Sequence, residues 1–129
     1  MAYILGLDVS TTGSKALLID TTGAVMGTAS SPHTLSTPKP LWSEQDPEMW
    51  WQAVVNSIQS LIVQTGVDPK EIDAVGLTGQ MHGLVLLDAQ GEVLRPAILW
   101  NDQRCQAQCD EIHERVGKEK FIQISGNVA

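Results

Sequence analysis

The sequence predicts an α/β domain: a mixed sheet that opens as an N-terminal antiparallel meander and carries flanking helices. Three observations predict it. The first 29 residues hold three short apolar runs separated by tight turns. One long helical periodicity follows a proline-rich loop. Strand-like runs then lead into a second helical stretch. Strands first, then a helix crossing to further strands, indicate a mixed sheet covered by helices.

Tyr3-Ile-Leu-Gly-Leu-Asp-Val9 is short, apolar and rich in strand formers. Ser10-Thr-Thr-Gly-Ser14 is a turn cluster, and Lys15-Ala-Leu-Leu-Ile-Asp20 returns as a second strand. Thr21-Thr-Gly-Ala24 turns the chain again into Val25-Met-Gly-Thr-Ala29. Such a run of strands and tight turns is an antiparallel meander. Ser30 to Pro40 carries Pro32, Pro38 and Pro40 and reads as extended loop.

A helix is predicted from about 47 to 64. Asp46 suits the N-cap, Pro47 the first helical position and Glu48 the positive end of the dipole. Trp50, Ala53, Val54, Ser57, Ile58, Leu61 and Ile62 share one face, and Gly66 suits the terminator. After Asp68-Pro69, residues Asp73 to Thr78 read as a buried strand and Gly79-Gln-Met-His-Gly83 as a loop bracketed by glycines. Leu84 to Asp88 and the segment through Arg95 to Trp100 read as further strands. A second helix is expected over about 103–116, capped by Asn101 or Asp102, with Cys105, Cys109, Ile112 and Val116 on its face and Gly117 at its end. Ser125-Gly-Asn-Val-Ala129 shows no closing element, so the 129 residues are expected to be part of a longer protein.

Eight Lys and Arg stand against fifteen Asp and Glu, a net charge of −7. That balance argues against a broad nucleic-acid-binding surface, which needs clustered cations. At 43% hydrophobic the chain can bury a core. Two cysteines make no disulfide framework. No apolar run approaches the roughly 18 residues of a membrane span. The N-terminus lacks the basic segment of a secretory signal, so a cytoplasmic setting is the expectation.

Four segments carry candidate chemistry. Asp8-Val-Ser-Thr-Thr-Gly-Ser-Lys15 is neither a Walker A loop nor a dinucleotide fingerprint, because its glycine spacing fits neither and a strand follows it. It reads as a hairpin whose backbone N–H groups and hydroxyls suit a phosphate, with Asp8 suited to a hydrated divalent cation; an ordinary polar hairpin needs the same residue types. Gly79-Gln-Met-His-Gly83 sits at a strand end, where open α/β sheets bind ligands, and His82 could hydrogen-bond a polyol; a loop histidine without a role is the alternative. In Leu99-Trp-Asn-Asp-Gln-Arg104, Trp100 offers an apolar wall beside polar groups, or else packs in the core while Asp102 caps a helix. Cys105, Cys109 and His113 stack on one helical face, where buried thiols are commoner than zinc ligands without a second pair.

Taken together, five segments resemble the N-terminal part of a sugar kinase of the FGGY family, nearest its xylulokinase branch. They are Gly6-Leu-Asp-Val-Ser-Thr-Thr-Gly-Ser-Lys15, Leu41-Trp-Ser-Glu-Gln-Asp-Pro47, Gly79-Gln-Met-His-Gly83, Arg95-Pro-Ala-Ile-Leu-Trp-Asn-Asp102 and Ser125-Gly-Asn127. The resemblance implies a ribonuclease-H-like fold of the actin-like ATPase superfamily, the first of two such domains about a cleft. It implies transfer of the γ-phosphate of ATP to the 5-hydroxyl of D-xylulose, with Mg²⁺. By the same resemblance Asp8 is the catalytic and metal-holding residue. Ser10, Thr11, Thr12, Gly13, Ser14 and Lys15 form the nucleotide-binding hairpin. Met81, His82, Trp100 and Asn101 line the sugar site. Neither nucleic acid nor membrane is an expected partner, and a homodimer stays open. Much of the family has Gly where Ser10 stands, so a hydroxyl contact is expected to compensate. The family's catalytic Asp and adenosine site lie beyond Ala129, which implies that these residues alone are inactive. The alternatives are a non-catalytic nucleotide-binding domain of the actin or chaperone kind, a kinase for another ketose or polyol, and an interaction domain that has lost catalysis.

Overall fold

A computed structural model of the chain describes residues 2–129. The meander forms as expected: β1 (Tyr3–Val9), β2 (Gly13–Asp20) and β3 (Val25–Pro32) pair antiparallel. The β2–β3 turn closes because the Asp20 carboxylate accepts from the Thr22 and Ala24 amides. A two-residue strand β4 (Glu44–Gln45) precedes α1 (Pro47–Thr65). Asp46 caps α1 by accepting from Glu48 N at 3.0 Å, and Gly66 ends it in the left-handed conformation with its N–H on Ile62 O.

α1 lies across β2 and β3, burying Ala53, Ser57 and Leu61. The approach is close at Gly27, where a Cβ would stand 2.7 Å from Thr65 Cγ2 and 3.2 Å from Leu61 Cδ1. Tyr3, Leu5, Ala16, Leu18, Leu61 and Val67 form the core under this helix. After a 3₁₀ turn at Pro69–Glu71, β5 (Ile72–Gly79) adds parallel to β1, for a sheet order β3-β2-β1-β5.

Several expectations need correction. The strand over 73–78 exists but is not buried. α1 covers β2 and β3, so Val75 and Leu77 on edge strand β5 remain 61% and 75% exposed. Leu84–Asp88 forms no strand. Only isolated bridges from Leu84 to Ile98 and from Leu87 to Val93 hold it, and Asp88 closes a turn by accepting from the Gln90 and Glu92 amides. The strand through 95–100 shrinks to β6 (Ala97–Ile98), which pairs with β4 rather than with the main sheet. The second helix, α2 (Gln106–Val116), starts later than expected and has no side-chain cap, because Asp102 is engaged by Ser43 and Arg104. A further helix, α3 (Lys118–Ser125), closes the chain where no element was expected. None of the residues of α2 or α3 is buried; these helices pack on each other, with His113 edge-on to Phe121.

No described helix is long and apolar enough to cross a membrane. Among the described residues no cluster of His, Cys, Asp and Glu could hold a metal ion. The two sulfurs lie 3.9 Å apart, and His113 Nε2 accepts from the Ala129 amide. Trp42 stacks on the Arg104 guanidinium at 3.6 Å, whereas Trp51 is exposed.

Candidate functional site

Asp8 stands one residue before the end of β1, in register with Lys15 on β2 and Thr78 on β5. Paired residues project from the same side of a sheet. These three therefore share the face opposite α1. Ser10 closes the β1–β2 hairpin by donating its N–H to Gly13 O at 3.0 Å. The Ser10 hydroxyl also donates to Gly13 O, at 2.8 Å, so it serves the hairpin itself.

Two open depressions meet at this hairpin. One, of about 380 Å³, is lined by Asp8, Ser10, Thr12, Gly13, Lys15 and the end of β3. The other, of about 450 Å³, is lined by Asp8, Ser10, Thr11, Gln80, Met81, His82 and Trp100. Asp8 and Ser10 belong to both. Hydroxyls and an ammonium group bound the first, whereas the second is predominantly apolar with an imidazole at its rim.

A hydrogen-bonded chain fixes the second depression to the hairpin. Trp100 Nε1 donates to Thr11 Oγ1 at 3.2 Å, and that hydroxyl donates to Gln80 Oε1 at 3.1 Å. Gln80 Nε2 donates to Gln45 Oε1, which also accepts from Trp50 Nε1. Gln45 Nε2 spends its two protons on the carbonyls of Thr11 and Thr34. Every donor in this chain meets an acceptor, so the buried amide of Gln45 is satisfied. Gln80 follows β5 directly, its N–H held by Val9 O at 2.9 Å. His82 then adopts φ +65°, a left-handed conformation uncommon outside glycine.

The 99–104 turn is held from behind by charge. Asp102 accepts the Arg104 guanidinium at 2.6 Å and the Ser43 amide at 2.7 Å. Glu44 accepts both Arg104 and Arg95, at 2.7 and 2.6 Å. The hydrogen bonds from Arg104 dominate in holding the Asp102 carboxyl down at about 2. The same pairing raises Arg104.

Residues 3–129 match the model of the N-terminal domain of the FGGY family of carbohydrate kinases. The chain belongs to that family. It is 45% identical over 96% of its length to the xylulose kinase of Escherichia coli K12, and 38% identical over its whole length to that of Lactococcus lactis. It spans about a quarter of the length of the curated relatives it matches. Among solved structures it superposes on a Brucella ovis "xyloylose kinase" with a TM-score of 0.87 at 44% identity, covering 98% of this chain and 25% of that one. It superposes on Plasmodium falciparum glycerol kinase with ADP with a TM-score of 0.83 at 26% identity, covering 95% of this chain and 25% of that one. The fold is the actin-like ATPase one that these sugar kinases share, as the resemblance implied.

The structure gathers most of the expected FGGY site residues. Asp8, Ser10, Thr11, Thr12, Gly13, Ser14 and Lys15 line one or both depressions, and Met81, His82 and Trp100 line the second. Asn101 is placed elsewhere, with Trp42 and Lys39, because the turn closed by Asp102 N on Leu99 O sends Trp100 and Asn101 opposite ways. Ser14 is 1% exposed, and its hydroxyl sits 3.0 Å from His33 Nε2 beneath the hairpin. Any ligand contact of Ser14 therefore runs through its backbone. Sequence reading assigned no role to Gln45, Gln80 or His33. Gln45 and Gln80 stood inside the quoted motifs, and a buried amide with all its bonds met is visible only in three dimensions.

Proposed function

We propose that the chain is the N-terminal domain of an ATP-dependent sugar kinase that phosphorylates D-xylulose at its 5-hydroxyl. The observation that carries this is the sharing of Asp8 and Ser10 by a polar, Lys-flanked depression and an apolar, His-rimmed one. Such a pair suits a terminal phosphate on one side and a polyol on the other. Xylulose kinases predominate among the relatives, which favours a ketose over glycerol.

Backbone N–H groups of the hairpin bind the β- and γ-phosphates, and Lys15 neutralises their charge. A hydrated Mg²⁺ fits the donor set. Asp8 offers one exposed carboxylate where the two depressions meet, and phosphate oxygens complete the shell of the ion. When bound, the ion screens the charge that develops on the transferred phosphoryl group. His82 hydrogen-bonds sugar hydroxyls while Met81 and Trp100 exclude water from their apolar faces. The resemblance assigns the acceptor of the 5-hydroxyl proton to an Asp beyond Ala129. Because ATP and a metabolic sugar are the co-substrates, a cytoplasmic setting follows.

The test is ATP-dependent phosphorylation by the intact protein carrying this chain, with D-xylulose, other ketoses, glycerol and gluconate offered in parallel. Preference for D-xylulose is expected. Preference for another polyol would retain the kinase and overturn the substrate, and no transfer to any of them would overturn both.

A further inference from the structure

His33 sits just past β3, is 9% exposed, and makes three bonds to the hairpin it follows by about twenty residues. Its backbone N–H donates to Thr12 O at 2.9 Å. Its Nδ1 lies 3.0 Å from Ser10 O. A carbonyl can only accept, so Nδ1 carries the ring proton. Nε2 is then the acceptor, and the Ser14 hydroxyl, 3.0 Å away, donates to it. The carbonyl between these two, Thr11 O, is held by Gln45 Nε2 at 2.8 Å. Three consecutive carbonyls, at residues 10, 11 and 12, are thus pinned from the packed side.

That pinning has a consequence for the neighbouring amides. Every described peptide bond is trans. In a trans peptide the N–H points opposite to the carbonyl that precedes it. The N–H groups of Thr11, Thr12 and Gly13 therefore point away from His33 and Gln45. Thr11 lines the His82 depression, and Thr12 and Gly13 line the Lys15 depression. The ring's bond to Ser10 O fixes the first of these peptide planes, and Gln45 and the His33 N–H hold the next two.

We propose that His33 is a positioning residue for ATP: it locks the Ser10–Gly13 turn so that consecutive amides, foremost those of Thr12 and Gly13 in the Lys15 depression, face the terminal phosphates. This rests on the kinase reading above. His33 touches no substrate. Its effect falls on the nucleotide because its partners are Ser10, Thr12 and Ser14, whereas the sugar side is held separately through Trp100 and Gln80.

The test uses His33→Leu and His33→Gln in the intact protein carrying this chain, with the KM for ATP and the KM for D-xylulose measured separately and the Kd of Mg·ADP measured by calorimetry. His33→Leu should raise the KM for ATP and the Kd of Mg·ADP about five- to tenfold, the effect of about one lost hydrogen bond, with the sugar KM within about twofold. His33→Gln, whose amide can donate to Ser10 O and accept from Ser14, should recover most of the loss. If the leucine variant does not fold, His33→Phe fills the ring's volume without its bonds and answers the same question. An apolar variant with unchanged ATP and ADP affinity overturns the proposal, as does an equal rise in both KM values. Wild-type protein that transfers no phosphate to any sugar overturns the kinase reading and this inference with it.

Discussion

The indole N–H of Trp100 donates to the hydroxyl of Thr11, 89 residues away in sequence, at 3.2 Å. One hydroxyl thereby joins the wall of the apolar depression to the turn of the β1–β2 hairpin. It passes its own proton to Gln80 and so also reaches the loop that carries Met81 and His82. Thr11→Val keeps the shape and removes both bonds. It should leave Trp100 Nε1 and Gln80 Oε1 without their protein partner and lower kcat/KM about three- to tenfold for sugar and ATP alike. Combining it with Trp100→Phe should cost less than the sum of the two, with a coupling of about 0.5–1 kcal/mol. Steady-state kinetics of the four proteins in the cycle measure that coupling, and strict additivity would show that the bond carries nothing.

Asp8 is exposed at the junction of the two depressions, where no other described residue offers a carboxylate to both. Asp8→Ala should reduce turnover by on the order of a hundredfold or more, the size of effect seen when one preorganised charge-stabilising group is removed. Sugar binding should survive, since His82, Met81 and Trp100 are untouched. Calorimetric titration with D-xylulose alongside the kinetic assay separates the two. Turnover like wild type would remove Asp8 from the mechanism.

What the sequence made legible is mostly local. The meander and α1 follow from signals within a few residues of where they act: Asp20 closing its own turn, Asp46 capping and Pro47 starting a helix, Gly66 ending it. The outer elements depend on distant partners and were misread. Leu84 to Asp88 has the composition of a strand but meets only isolated bridges. α3 is a short polar stretch, Lys118-Glu-Lys-Phe-Ile-Gln-Ile-Ser125, whose order depends on packing against α2. The candidate site divides the same way. Asp8, Met81, His82 and Trp100 stand at strand ends or turns where ligands are expected. His33, Gln45 and Gln80 act through bonds to residues 19 to 69 positions away. Asn101 lines a depression with Trp42 and Lys39 instead, a placement set by the 99–102 turn and not readable from local composition.

His82 bears on both stability and substrate. Its φ of +65° costs a β-carbon residue about 1 kcal/mol or more relative to glycine. His82→Gly should therefore be more stable than His82→Ala by about 1 kcal/mol, even though glycine is the more flexible residue when unfolded. Both variants should raise the KM for D-xylulose more than that for ATP. Thermal midpoints of the two proteins, read beside their kinetics, distinguish stored backbone strain from a side-chain role. An alanine variant as stable as the glycine one would mean that the loop relaxes out of this conformation. An unchanged sugar KM would mean that the imidazole does not touch the substrate.

The clamp behind Trp100 has a pH signature. The Asp102 carboxyl is lowered from 3.8 to about 2, chiefly by hydrogen bonds from Arg104 and also by the Ser43 amide. A depressed carboxyl binds its proton less readily when folded than when unfolded, so the unfolded state holds more protons between the two values. Its contribution is fully present above about pH 4 and fades as pH falls toward about 2. Asp102→Asn should thus lower the thermal midpoint of the intact protein near neutrality, and the gap to wild type should close in that acid window. Glu44 still accepts both Arg104 and Arg95 in the variant, so the 99–104 turn should loosen without unfolding. A loosened turn releases Trp100 from Thr11, which should raise the sugar KM at neutral pH as well. A gap that is constant from pH 7 to pH 2 would mean that Asp102 is held by shape rather than by the charge on its partner.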